Sequence, residues 1–444
     1  MTSLLLANGR VVNEGQIQEA DLLVVDDRLK RIGAGPLPAR TRVVDLNGLH
    51  VLPGLIDDQV HFREPGLTHK ATIASESLAA ICGGVTSYLD MPNNSPPCID
   101  RAGLAAKKAI AARTSFANYG FYLGATNTNL DEIRAATRAE ACGIKVFMGA
   151  STGNMLVDDE HTLERIFADA TLPIATHCED TPLIRAAEAR AREKYGDDVP
   201  IAEHPNIRSA EACYKSSALA VSLAKRHDAR LHVLHLTTAR ELELFSAGPL
   251  ERKRVTAEVC AHHLWFDDSD YAALGAKIKC NPAIKTAKDR AALVAAVNDD
   301  VIDVIATDHA PHTAEEKSRP YFEAPSGLPL VQHVLNMLLE QHHAGTFSLE
   351  TIARKAAHNP ARLFGIKDRG FIREGYFADL VVIDLAATTT VSPEHIRYKC
   401  AWSPFAGHTF RSAVVMTVLG GHVVFDHGIV APRATGAELT FLSE

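Results

Sequence analysis

Three histidines and an aspartate fall near the ends of apolar β-type runs, and a lysine lies within one: His61, His177, His235, Asp308 and Lys145. One such histidine alone is more often a hydrogen-bonded core residue than a ligand. Several at matching registers of successive units are hard to obtain by chance, and together they read as a metal site. Lys145 lies in Gly143-Ile144-Lys145-Val146-Phe147-Met148, an apolar run where an ammonium is costly to bury, and more so beside a divalent cation. Two readings stand open. The amine takes up carbon dioxide and becomes a carbamate whose oxygens bridge two metals, or the side chain snorkels to the strand end. Asp308 stands in Ile305-Ala306-Thr307-Asp308-His309-Ala310-Pro311-His312. Bound zinc lowers the pKa of water to about 7, and a carboxylate here can take that water's proton and carry it to a leaving nitrogen. A helix N-cap is the ordinary alternative for such an aspartate, but the AspHisAlaProHis string favours chemistry. Arg63 follows His61 by two residues, so on an extended segment both side chains point the same way. Its guanidinium can fork onto a substrate carboxylate, or pair with Glu64.

These residues are scattered along the chain and need a frame that gathers them. Short β-rich runs occur at 52–56, 85–89, 117–123, 144–148, 172–176, 231–236, 255–259 and 301–307. Alanine-rich helical stretches, such as 73–81, 104–112 and 216–225, separate most of them. Eight strand–helix units in series predict an α/β fold, a TIM-like (β/α)8 barrel, whose active site assembles at the carboxyl ends of its strands. A doubly wound open sheet would need a strand-order reversal that cannot be read, and no GxGxxG follows the first strand. Short strands also crowd both ends of the sequence, at 4–6, 21–25 and 29–32, and at 379–383, 413–419 and 422–425 with a Gly420-Gly421 turn. They cannot bury a face alone. Residues 1–52 and 366–444 are therefore expected to pair into one small β-sandwich domain beside a barrel of residues 53–365.

The composition fits this size. In 444 residues, 46% are hydrophobic and 23% charged, enough for a large core. The net charge of -8, with no basic run, argues against a nucleic-acid partner. No stretch is long and apolar enough to span a bilayer. MTSLLLANGR lacks a basic n-region and reads as a strand rather than a signal peptide. The eight cysteines show no CxxC pairing, so reduced thiols and a cytoplasmic location are expected.

Over nearly its whole length the sequence resembles the amidohydrolase superfamily, and within it the dihydroorotases. The strings that carry this are ProGlyLeuIleAsp at 53–57, HisPheArgGluProGly at 61–66, MetProAsn at 91–93, AsnProAlaIleLys at 281–285 and AspHisAlaProHis at 308–312. GlyTyrPheAlaAspLeuValValIle at 375–383 looks like the superfamily's returning sandwich strand. The resemblance implies reversible hydrolysis of dihydroorotate to N-carbamoyl-L-aspartate in pyrimidine synthesis, with one or two zinc ions. His61 and Asp308 would bind the more buried metal. Lys145, as N6-carboxylysine, would bridge it to a second metal on His177 and His235. Arg63, Asn93 and His312 would grip the substrate carboxylate, and Asn281 with the backbone near Pro325, Ser326 and Gly327 would hold the ring amides. Thr152 is assigned to a loop over the substrate. Hydantoinases, dihydropyrimidinases and allantoinases are relatives with a similar metal set, so Arg63 and AsnProAlaIleLys carry the narrower expectation.

One position departs from the family. Its first strand normally ends in His-x-His, whereas Asp57-Asp58-Gln59-Val60-His61 puts a weaker, neutral ligand at Gln59. Lost ligands also mark catalytically silent dihydroorotase-like partners of aspartate transcarbamoylase. The other ligands and the carboxylate grip are all present, which favours an active enzyme; the family resemblance implies a homo-oligomer, a dimer or larger.

Overall fold

The computed structural model describes residues 2–149 and 155–442. Thr152 lies outside the described residues.

Two parallel ladders form the barrel. One joins strands Leu55–Val60, Val85–Asp90 and Asn118–Phe121; the other runs through Leu123–Gly124, Ile144–Phe147, Ile174–His177, Leu231–Val233, Val255–Cys260 and Val304–Ala306. Asn118–Phe121 and Leu123–Gly124 are two halves of one interrupted strand, so the barrel has eight. Its ends meet where His61 N–H donates to the His309 carbonyl at 2.7 Å. Thr307 Oγ1 also donates to Asp57 Oδ2 at 2.6 Å, pinning the last strand end to the first. The first-strand run expected at 52–56 is divided. His50–Pro53 belongs to the terminal sheet and Leu55–Val60 to the barrel, with Gly54 between them. A Cβ on Gly54 would stand 2.3 Å from the Thr86 side chain, so this crossing needs the hydrogen that glycine provides.

The outer helices start on residues that satisfy their free N–H groups. Thr72, Asp100, Asp180 and Ser209 each accept from the first turn of Ile73–Cys82, Arg101–Thr114, Thr181–Tyr195 and Ala210–His227. Among the described residues, no helix is long and apolar enough to cross a membrane.

Both ends of the chain enter one nine-stranded sheet. Its central pairing sets Leu380–Asp384 antiparallel to His50–Pro53, with Pro53 opposite Leu380. The Gly420-Gly421 turn has φ of 51° and 78°, the positive values that a two-residue hairpin of this hand requires. A core separate from the barrel's joins Leu6, Leu22 and Val51 to Leu380, Val382 and Val418. The fold is therefore a (β/α)8 barrel with a β-sandwich built from both chain ends. Beyond that sheet the chain returns to the barrel, where Tyr119 N–H donates to the Ala437 carbonyl at 3.0 Å. His358 joins the two cores. Its Nδ1–H donates to the Gly370 carbonyl at 2.7 Å, while its Nε2 accepts from Glu14 N–H at 3.0 Å.

Candidate active site

The side chains picked out by spacing converge at the carboxyl ends of the barrel strands. One cavity is lined by Gln59, His61, Arg63, Asn93, Lys145, His177, His235, Asn281, Asp308, Ser326 and Gly327, with Phe147 and Ala310. His61 lies one residue past its strand, Lys145 within its strand, His177 at the last position of its strand, and His235 and Asp308 two past theirs. Arg63, His235 and Asp308 have φ of 66°, 41° and 48°, a left-handed backbone that side chains other than glycine rarely adopt. The extended geometry expected for 61–63 is therefore absent, yet Arg63 still reaches the cavity.

Two pairs of electron-rich atoms face each other. His61 Nε2 is 2.9 Å from Asp308 Oδ1. His177 Nδ1 is 2.9 Å from His235 Nε2. Such pairs need a proton or a cation between them. The opposite ring edges are fixed as in metal-ligating histidines: His61 Nδ1–H donates to Asn93 Oδ1 at 2.7 Å, and His177 Nε2–H to Glu179 Oε2 at 3.0 Å. Glu179 is in turn ion-paired with Arg208. Burial, together with the charge of neighbouring residues, holds His235 well below the ordinary imidazole range. Burial also lowers His177, against the pull of Glu179. Asp308 is pushed up by burial, but the His61 contact and the nearby positive groups outweigh this and hold its carboxyl low. At neutral pH His177 and His235 present neutral imidazoles and Asp308 a carboxylate, donors suited to a divalent metal.

Lys145 is 1% exposed, so it does not snorkel to water. Among the described residues, no hydrogen bond or ion pair engages its Nζ. Burial pushes its ammonium down to about 8, leaving a fraction of nucleophilic neutral amine at neutral pH. These properties suit carbamate formation. Asp308 is not a helix cap: the following helix, Ala314–Lys317, is capped by Thr313.

Gln59 lines the cavity with its amide engaged on both sides. Its Nε2–H donates to Asp308 Oδ1 at 3.1 Å, and its carbonyl turns toward Cys260, with Oε1 3.8 Å from Sγ. Asn93 likewise spends its oxygen on His61. His312 stands behind the cavity wall rather than in it, within 3.0 Å of Arg63 Nη2, Lys70 Nζ and the Ser326 carbonyl. Pro325 is also off the cavity, its carbonyl accepting from Lys317 Nζ. Arg63 donates from Nε to the Pro311 carbonyl at 3.1 Å. Among the described residues no carboxylate lies within ion-pairing reach of it, so the salt bridge with Glu64 does not form. Asn281 Oδ1 is buried without a hydrogen-bond partner.

Several contributors escaped the sequence reading. Glu258 Oε1 accepts from the His235 backbone N–H at 2.9 Å and so holds that left-handed residue in place. Below it, Asp58 and Glu258 flank His232. Burial opposes the charge on this imidazole, but the two carboxylates raise it to about 9. Strand Val255–Cys260 likewise carries Cys260, His262 and His263 at its carboxyl end, the register of the other donors.

The pattern that defines the "Amidohydrolase family" matches residues 50–424. A dihydroorotase of Methanothermobacter thermautotrophicus is 34% identical over 432 residues, covering 97% of this chain and 96% of its own. An allantoinase of Solibacter usitatus is 32% identical over 450 residues, covering 98% and 96%. Among solved structures, an L-hydantoinase (dihydropyrimidinase) from Arthrobacter aurescens superposes with a TM-score of 0.93 at 28% identity, covering 99% of this chain and 100% of that one.

Proposed function

We propose that this chain, which belongs to the amidohydrolase family and to its cyclic-amide branch, hydrolyses dihydroorotate reversibly to N-carbamoyl-L-aspartate and so serves pyrimidine synthesis as a dihydroorotase. The observation that carries the choice of substrate is Arg63. Its guanidinium is 5% exposed, lowered by burial to about 10, faces the cavity, and lacks an acidic partner among the described residues. A buried cation so placed favours an anionic ligand. Dihydroorotate brings a ring carboxylate to it, whereas allantoin, hydantoin and dihydrouracil bring none.

His61, Lys145 as its carbamate, His177, His235 and Asp308 are the residues that would hold one or two zinc ions. When bound, such ions polarise the scissile carbonyl and make water nucleophilic at neutral pH. Arg63 binds the carboxylate and fixes the ring. Asn281 Oδ1 accepts from a ring N–H. Asp308 takes one proton from the attacking water. A C–O bond forms as the ring C–N bond breaks, and Asp308 returns that proton to the departing nitrogen. Ring closure runs the same steps backwards. The rival reading, a non-catalytic partner of aspartate transcarbamoylase, leaves this proton-carrying carboxylate without a task. A homo-oligomer is the assembly that the family resemblance implies.

Turnover of carbamoyl aspartate, allantoin and hydantoin by zinc-loaded protein tests this. Arg63→Met is expected to lower kcat/KM for carbamoyl aspartate by about 100-fold, the loss of a charge-assisted pair worth about 2–3 kcal/mol. Activity toward uncharged rings should change little. Wild-type protein that hydrolyses allantoin or hydantoin but not dihydroorotate overturns the assignment.

A further inference from the structure

Strand Val255–Cys260 ends on a cysteine and leads directly into His262 and His263, all three buried. None of them lines the cavity described above. One ligand atom from each lies within 4.8 Å of those from the other two. By strict geometry neither ring nitrogen of His262 makes a hydrogen bond, although the Thr307 backbone lies close to its ring, and Nδ1 of His263 has no partner. Buried polar atoms left this way are costly, so three on adjacent residues call for an explanation. The far edge of His263 supplies one. Its Nε2–H donates to the Pro282 carbonyl at 3.2 Å, which leaves the lone pair on Nδ1. That is the tautomer, and the backbone brace, of a metal-ligating histidine.

We propose that Cys260, His262 and His263 form a thiolate-containing site for a soft divalent cation, zinc by preference, beside the cavity and distinct from the donors on His61, Lys145, His177, His235 and Asp308. One thiolate and two imidazoles are a zinc donor set. Zn–S near 2.3 Å and Zn–N near 2.1 Å place such donors roughly 3.3–3.7 Å apart, so modest side-chain rotation closes the present arrangement. As the S–metal bond forms, Cys260 gives up its thiol proton, and Glu258 Oε1, 3.7 Å from Sγ, is an acceptor that can pass it on. Three protein ligands leave a fourth position, and Gln59 Oε1, 3.8 Å from Cys260 Sγ, is a neutral oxygen within its reach. The residue that replaces the family's first histidine therefore turns its carbonyl toward this second set of donors.

Cobalt(II) reports thiolate ligation directly. Chelator-stripped protein titrated with cobalt chloride is expected to develop a near-ultraviolet thiolate-to-cobalt charge-transfer band. The band should persist in Lys145→Ala and His177→Ala, which disturb only the cavity donors. It should vanish in Cys260→Ser, and His262→Asn should weaken the cobalt affinity behind it at least tenfold. X-ray absorption at the zinc edge of wild-type protein, which needs no variant to fold, should show a sulfur scatterer at about 2.3 Å. Metal binding with neither the band nor the sulfur scatterer, or a band unchanged in folded Cys260→Ser, overturns the proposal.

Discussion

His61 Nε2 and Asp308 Oδ1 can stand 2.9 Å apart only by sharing a proton or a cation, and Asn93 biases which. By accepting Nδ1–H it fixes the ring so that Nε2 offers its lone pair. Asn93→Leu should lower zinc affinity about 10–100-fold, measured by chelator competition, with KM for carbamoyl aspartate little changed. Intact zinc affinity with a raised KM would return Asn93 to the carboxylate-gripping role that the family resemblance implies. Glu179 and Glu258 act at the same remove, one on the His177 ring and the other on the His235 backbone. Such residues are hard to pick from sequence, because a buried carboxylate near a strand end looks alike whether it braces a ligand or a neighbouring chain segment.

At the level of elements, the eight barrel strands were readable because each is a short apolar run bounded by turns or helix caps. The first was not cleanly so. Asp57-Asp58-Gln59 looks unlike a buried strand, yet all three face full burial inside the barrel, while apolar Leu52 belongs to the neighbouring sheet. Gly54 is the divide, and its importance lies in the approach of Thr86, a contact no local pattern encodes. Gly54→Ala should destabilise the protein by about 1–3 kcal/mol in denaturant titration, and Thr86→Ala in the same chain should recover part of the loss. A simple sum of the two single losses would mean that they do not touch. The register rule gathered His61, Lys145, His177, His235 and Asp308 around one cavity. Applied to the seventh strand, it would also have found His262 and His263. His312 was placed on the cavity because its string is shared with the family, whereas packing behind Arg63 sets it back.

Across the whole molecule, His358 ties the barrel to the sheet of chain ends while neutral. Burial pushes it down to about 4, despite its bond to the Gly370 carbonyl. An unfolded imidazole takes up its proton near 6.5. Between about 6.5 and 4 the unfolded chain therefore binds more protons at this residue, and its contribution to stability, complete above 6.5, is lost as the pH falls. Wild-type protein should lose about 1.4 kcal/mol more per pH unit across that window than His358→Asn, which has no imidazole to charge. Parallel slopes for the two proteins would show that this residue does not govern the junction. The partnership of Pro53 with Leu380 reaches further still, into how the chain is made. Translation at about 5–20 residues per second separates the two by roughly tens of seconds. Throughout that interval the nascent His50–Pro53 segment waits beside the ribosome with an open row of backbone groups. Until its distant partner emerges, that edge is open to mispairing, and the whole barrel must be synthesised before the strand that covers it exists.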